Sequence, residues 1–344
     1  MSNKPPIEVQ QGAIRLNTDS QKLEFFAQDR WYEMATDSPT FDGGSTHGGG
    51  ARGVFAGGGD PADPTLDVMD FITISTSGNA ADFGDLSSNR RHCHGVGSRT
   101  RNFVMGGYSD SAGQVRNTVE ASVFSSGGGS SSFCNLTASR YVAAAGGNST
   151  RGLYGCGNSP NAPTIVASID VFDLHSGTTA GDFGDMSLAR QDTAGSANIV
   201  RFVVAGGSNS GHRNTIDFVT ISTLGDGKDF GDLTSTSTHN GGASSPTRGI
   251  FCGVSPSTVT NCDKIEYATL GDAIDFGDMT VSRNVHAGVS DCVRIAIAGG
   301  NVPSGRTNVI DYTSFSTGGS FANFGDLTDV RSQLSGGSNG HGGL

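Results

Sequence analysis

His92-Cys93-His94 is the first grouping in this chain with the residue types of a metal clip. On a strand, side chains alternate between faces, so His92 and His94 would share a face and Cys93 would point away. No third ligand accompanies them. The six cysteines (Cys93, Cys134, Cys156, Cys252, Cys262 and Cys292) show no zinc spacing. They read mostly as buried free thiols, with Cys156 and Cys252 standing in for small residues. A second grouping, Asp-Phe-Gly-Asp, begins at Asp82, Asp182, Asp229 and Asp275. In a kinase the Asp of such a sequence holds magnesium, but the Gly-rich loop, the strand Lys and the His-Arg-Asp partners are missing here. Calcium would need further oxygen ligands. No Ser–His–Asp set can be picked out, nor a carboxylate pair of the kind that cleaves glycosides. The expectation is no metal, no cofactor and no enzymatic activity.

The tetrad recurs because a longer unit recurs. Arg52, Arg101, Arg151, Arg201, Arg248 and Arg294 each stand five or six residues before a glycine pair or its remnant, at intervals of 49, 50, 50, 47 and 46 residues. About 16 to 19 residues after each comes an acid: Asp70, Glu120, Asp170, Asp217, Glu266 and Asp311. A second arginine recurs at Arg90, Arg140, Arg190, Arg283 and Arg331. A fixed period of this size marks a solenoid, propeller or array. In such a chain, in-phase residues are architecture before they are chemistry. The first arginine series and the acids are expected to meet as a repeated ion pair, whose bidentate geometry gives specificity. The tetrad is expected to be a turn in which Phe anchors between units, Gly takes a special φ and Asp bonds nearby backbone N–H groups.

Each unit holds about four short runs rich in β-branched and aromatic residues, such as Asp70-Phe71-Ile72-Thr73-Ile74, separated by Gly, Ser, Asn and Asp. No apolar stripe of helical period is long enough for a helix. Four strands per unit of about 50 residues give an all-β fold, a six-bladed propeller over residues 37–344, preceded by a separate segment over 1–36. One blade cannot bury both faces alone, so the ring must close. Residues 331–344 resemble the first strand of a seventh unit and are expected to complete blade one; Phe41 to His47 is the alternative. Formal net charge is −11 with only four lysines, so no basic patch offers itself to nucleic acid. No signal peptide or membrane span is apparent.

The Gly-Gly after the second strand resembles the kelch repeat. The kelch Tyr has counterparts in Phe71, Phe218, Tyr267 and Tyr312; its Trp is absent, with Phe83, Phe183, Phe230, Phe276 and Phe324 in place. The resemblance implies a divergent kelch-like propeller.

Residues 1–36 hold the only tryptophan, Trp31, and two alternating runs, Ala13 to Asn17 and Lys22 to Phe26, that read as a hairpin. An isolated hairpin is marginal in water and needs a partner surface. Gly12-Ala13-Ile14-Arg15-Leu16-Asn17-Thr18-Asp19, then Lys22-Leu23-Glu24-Phe25 and Trp31, resembles a module of tailed-bacteriophage fibre and virion proteins. It departs from that pattern at Leu16, where Tyr is usual. Phe-Gly-Asp-Leu-Thr and Ser338-Asn339-Gly340-His341-Gly342-Gly343-Leu344 resemble Gly-rich kelch-like arrays of marine and cyanobacterial phage virions. The resemblance implies a non-enzymatic virion structural protein (tail fibre, tail appendage or head decoration), assembled in the host cytoplasm. Ile14, Leu16, Leu23, Phe25 and Trp31 would attach it to other virion proteins, with a homo-oligomer compatible. The loops Asp60 to Asp67, Asp110 to Arg116, Asn158 to Thr164 and Ser208 to Arg213 vary most and would carry binding, a host-surface glycan included. A cellular kelch-type interaction module and a glycan-active propeller enzyme are the alternatives.

Overall fold

The computed structural model describes residues 12–17, 22–28, 30–33, 51–109, 113–160, 164–238, 241–253 and 257–344. The chain divides into two compact units, Met1–Phe41 and Asp42–Leu344. The second is a six-bladed β-propeller of antiparallel four-stranded sheets. Among the described residues no helix is long and apolar enough to cross a membrane.

Blade 1 is assembled from both ends of the repeat region. Its strands are Ser335–Ser338, Arg52–Ala56, Val68–Thr73 and Ala81–Asp85, in that order from the axis outward. Ser335 pairs with Ala56 and Ser338 with Gly53, so the late strand closes the ring. The alternative strand, Phe41 to His47, lies outside the described residues. Blades 2 to 6 begin with the inner strands His94–Gly97, Ala144–Gly147, Ala194–Ala197, Gly241–Ser244 and Ala287–Ser290. Second strands are almost wholly buried, as in Arg201–Ala205, and form the hydrophobic layers between blades.

The inner strands are small-residue strands for a physical reason. Around the axis they pack backbone on backbone. A Cβ on Gly288 would sit 2.6 Å from the Gly242 carbonyl oxygen, and one on Gly95 would sit 2.6 Å from that of Gly336. Neither glycine has positive φ, so close approach rather than conformational freedom selects it. Outside, the tetrad is not the expected turn: Asp82 to Asp85, Asp182 to Asp185 and their counterparts lie in the outermost strand of each blade, although the Phe, Gly and first Asp act there as expected. Phe83, Phe183, Phe230, Phe276 and Phe324 are buried. Gly84 has φ +127°, beside a register shift at Met69/Asp70, and Asp82 Oδ1 accepts from Gly84 N at 3.0 Å. A Cβ there would meet the backbone of Gly128 in the next blade's turn.

Each blade has two kinds of end. The turns joining first and second strands open on the entry face, where the chain reaches Arg52 from its N-terminal side. Residues 339–344 fold over the axis on that same face. His341 Nε2 lies 2.7 Å from Gly97 O, Gly342 N donates to Ser244 O at 3.2 Å, and Gly340 packs against Ala51 and Asp291. The opposite, loop face carries the connections between second and third strands and the passages from blade to blade.

The first unit is a three-stranded meander, Ile14–Asn17, Lys22–Ala27 and Arg30–Glu33. The expected hairpin is present, with Ile14 opposite Phe25 and Leu16 opposite Leu23, and a third strand extends it.

Substituting Gly288→Ala is expected to destabilise the propeller by about 1–3 kcal/mol through overpacking. Equilibrium urea denaturation checks this; an unchanged midpoint would mean that the inner ring is not packed as described.

Candidate functional site

The two arginine series have exchanged the roles expected of them. Asp70, Glu120, Asp170, Asp217 and Asp311 are buried and meet the second series, across blade boundaries. Arg140 Nη2 lies 2.5 Å from Asp170, Arg190 Nη2 3.0 Å from Asp217, Arg283 Nη2 2.5 Å from Asp311, and Arg331 Nη2 2.8 Å from Asp70; Arg90 pairs with Glu120. Each acid also accepts from a hydroxyl residue of the preceding blade, as in Thr280 N to Asp311 at 2.9 Å and Thr328 N to Asp70 at 3.1 Å. Each arginine also donates to backbone carbonyls, Arg283 to Val309 O at 2.6 Å for example. Burial pushes the Glu120 carboxyl up, but Arg90 and the bonds from Ser130 and Ser87 bring it below the ordinary range.

The first series staples blades differently. Arg151 Nη1 donates to Ile221 O and Arg294 Nη1 to Ser75 O, both at 2.7 Å, while Arg52, Arg201 and Arg248 reach Phe124 O, Tyr267 O and Phe315 O. Arg52, Arg101, Arg201 and Arg294 also lie over Phe71, Phe133, Phe218 and Tyr312. Only Arg248–Glu266, at 2.7 Å, forms the pair expected from sequence, and it is partly exposed. Glu266 is therefore not the in-phase acid of blade 5. That place belongs to Asp263, whose carboxylate accepts from Thr234 N and Oγ1 at 2.8 Å. At this boundary Ser237 stands where the other blades have arginine. Burial pushes the Asp263 carboxyl up, and the Thr234 bonds only partly offset it.

The remaining sequence candidates separate. Backbone register pairs Ile14 with Phe25 and Leu16 with Leu23, whereas Trp31 stands opposite Phe26. Trp31 packs 5.3 Å from Phe26, with the Arg15 guanidinium 4.1 Å from its ring centre. Cys252 is not a free thiol; it is bonded to Cys262, its cross-strand neighbour. Cys93, Cys134 and Cys156 are buried free thiols, and burial raises all three. His92 is not on a strand. It precedes the inner strand with φ +51°, and Val142, Asp192, Val285 and Gln333 share that left-handed conformation at the same phase. Non-glycine residues adopt it only when tertiary structure demands it. The demand is a circumferential run of backbone bonds: His92 N to Gln333 O, Val142 N to His92 O, Asp192 N to Val142 O and Gln333 N to Val285 O.

At its five described positions this run follows the mouth of the axis on the loop face. A cavity of about 30 Å³ lies there, lined by His92, His94, Asp192, His286 and Gln333. A more polar one of about 60 Å³ continues inward past Thr193, His94 and His286. Such volumes hold a few waters. Burial pushes His286 down to about 3, aided by Arg283 and partly opposed by the Cys252 backbone; burial pushes His94 down to about 4 against Asp192. Both imidazoles are neutral at ordinary pH. The variable loops named from sequence open on this same face; residues 110–112 and 161–163 within them lie outside the described residues. Among the described residues no group of three or more His, Cys, Asp or Glu is placed to hold a metal ion.

At neutral pH, Asp217→Asn is expected to destabilise the protein by about 3–5 kcal/mol, because Arg190 is left buried and unpaired. Asp263→Asn is expected to cost nothing or to stabilise. The raised carboxyl penalises the fold only while ionised, so that gain should vanish as pH falls below its folded value. Urea titrations of both variants at pH 7 and pH 4 check this; equal losses at pH 7 would contradict it. No family model matches this chain, and no curated protein matches it at a significant level.

Proposed function

We propose that this chain is a non-enzymatic structural protein of a tailed-phage virion, attached through residues 1–36 and presenting the loop face of its propeller. The observation that carries this reading is the difference between the two faces. The entry face is where residues 339–344 cover the axis. It also holds most of the propeller's exposed large apolar side chains, Ile199, Val200, Leu224, Leu270 and Val293 among them. Exposed apolar groups gathered on one face suit contact with neighbouring protein. The loop face carries the residues that depart from the repeat, and variable loops on a rigid scaffold are where recognition concentrates.

The virion assignment itself draws on the sequence of the first unit. Ile14, 62% exposed, begins the strand that pairs with Lys22–Ala27, and the attachment reading rests on Ile14, Leu16, Leu23, Phe25 and Trp31 of this small sheet. A cellular interaction module would use the same loop face. A glycoside-cleaving enzyme would need two carboxylates about 5–10 Å apart; Asp192 is the one acid among the described residues that line the mouth.

Deleting residues 1–36 is expected to leave the propeller's unfolding midpoint unchanged and to abolish incorporation into particles. Mass spectrometry and cryo-electron microscopy of purified particles from the virus encoding this chain check this. A six-bladed disc tethered to tail, neck or capsid is the expected density; particles that lack the chain would overturn the reading.

A further inference from the structure

On the loop face, the residue after each buried arginine forms a backbone bridge with the residue that follows the glycine pair. The bridges are Gly59–Ser332, Arg91–Tyr108, Tyr141–Asn158, Gln191–Ser208 and Asn284–Asn301. The backbone is the same in each, so the fold does not select these side chains. Three of the five bridges carry only glycine, hydroxyl or amide residues. The two adjacent bridges of blades 2 and 3 carry Arg91, Tyr108 and Tyr141.

These residues form one half-buried cluster. The Tyr108 and Tyr141 rings are 5.9 Å apart, His92 lies 6.1 Å from Tyr141, and the Arg91 guanidinium stands 5.5 Å over Tyr108. Beside them, Asn158 Nδ2 donates to Gln191 Oε1 at 2.6 Å, which fixes both amides. Asp192 borders the same cluster, since its charge is felt at the Tyr141 hydroxyl. A second, independent observation lies at the mouth. His286 is 5% exposed and Thr193 2%, both line the cavity, and among the described residues Thr193 Oγ1 has no hydrogen-bond partner and the His286 ring, apart from the influence of the Cys252 backbone, has none at normal geometry. Buried polar groups in folded proteins ordinarily find one.

We propose that this corner of the loop face, over blades 2 to 4, is a saccharide-binding site. A pyranose ring lays its C–H face on the Tyr108–Tyr141 platform. Asn158, Gln191 and Asp192 meet its vicinal hydroxyls. One hydroxyl, directly or through a water, reaches His286 and Thr193 in the mouth. Tyrosine suits this because one end is apolar and the other hydrogen-bonds. Neutral His286 offers one donor and one acceptor on diverging ring nitrogens, so a hydroxyl can meet either one of them. The cavity is too small for the sugar ring, so recognition is at the mouth. A phosphate ligand is disfavoured by Asp192 within the cluster and by the net charge of −11.

The inference rests on the loop face being the presented face, and its failure is separable from failure of the virion assignment. Saturation-transfer difference NMR on the full chain, with galactose, N-acetylglucosamine and glucuronic acid as probes, tests it. At least one sugar should show saturated ring protons. Tyr108→Ala and Tyr141→Ala should each weaken that sugar about tenfold, with the thermal midpoint unchanged, and Tyr141→Phe should retain most binding. Saturation of none of the three sugars, or binding untouched by both alanine variants, overturns the site. Neither result bears on whether the chain is found in particles.

Discussion

The propeller depends on a guanidinium buried against a carboxylate at five of its six blade boundaries. Arg90, Arg140, Arg190, Arg283 and Arg331 are each about 1% exposed or less, and each reaches an acid of the following blade. Desolvating two charges is expensive, so these pairs cannot be counted as net stability. What they supply is geometry: the arginine also binds backbone carbonyls, and the acid also binds a Ser or Thr of the preceding blade. A blade in the wrong register would leave a charge buried and alone. Glycine in the inner strands is the complementary constraint, since it lets six backbones meet around an axis that a row of Cβ atoms would force apart.

Much of this was legible in sequence because architecture repeats. The period, the four strands per unit, the role of the late strand and the tetrad's Phe and Gly followed from phase alone. Partnership did not. Asp217 lies nearer in sequence to Arg201 than to Arg190, yet its partner is Arg190, on the far side of a blade boundary. Periodicity places both arginine series in phase with the acid and cannot say which crosses the boundary. Glu266 was mistaken for the in-phase acid because blade 5 has slipped by three residues, to Asp263. His92 read as a strand residue because backbone bonds around the axis, invisible in one sequence, impose its left-handed conformation. Trp31 stands opposite Phe26 because a third strand, not the hairpin alone, sets its register.

The loop-face cluster was missed for the opposite reason. Tyr108 and Tyr141 carry no motif. Their signal is departure: at the position after the buried arginine the chain reads Arg91, Tyr141, Gln191, Asn284 and Ser332, while the arginine itself is invariant in those five units. In a repeat protein, conserved phase marks what holds the ring together, and broken phase on a common backbone marks where it can recognise something. The two faces of this propeller separate those roles.

The most direct test of the account is a double-mutant cycle on Arg331 and Asp70, the pair that joins the late part of the chain to blade 1. Arg331→Met and Asp70→Leu should each destabilise by about 3–5 kcal/mol, and the double variant should recover most of that loss because no charge is left buried alone. Strictly additive losses would show that the pair is not the register device on which the ring depends.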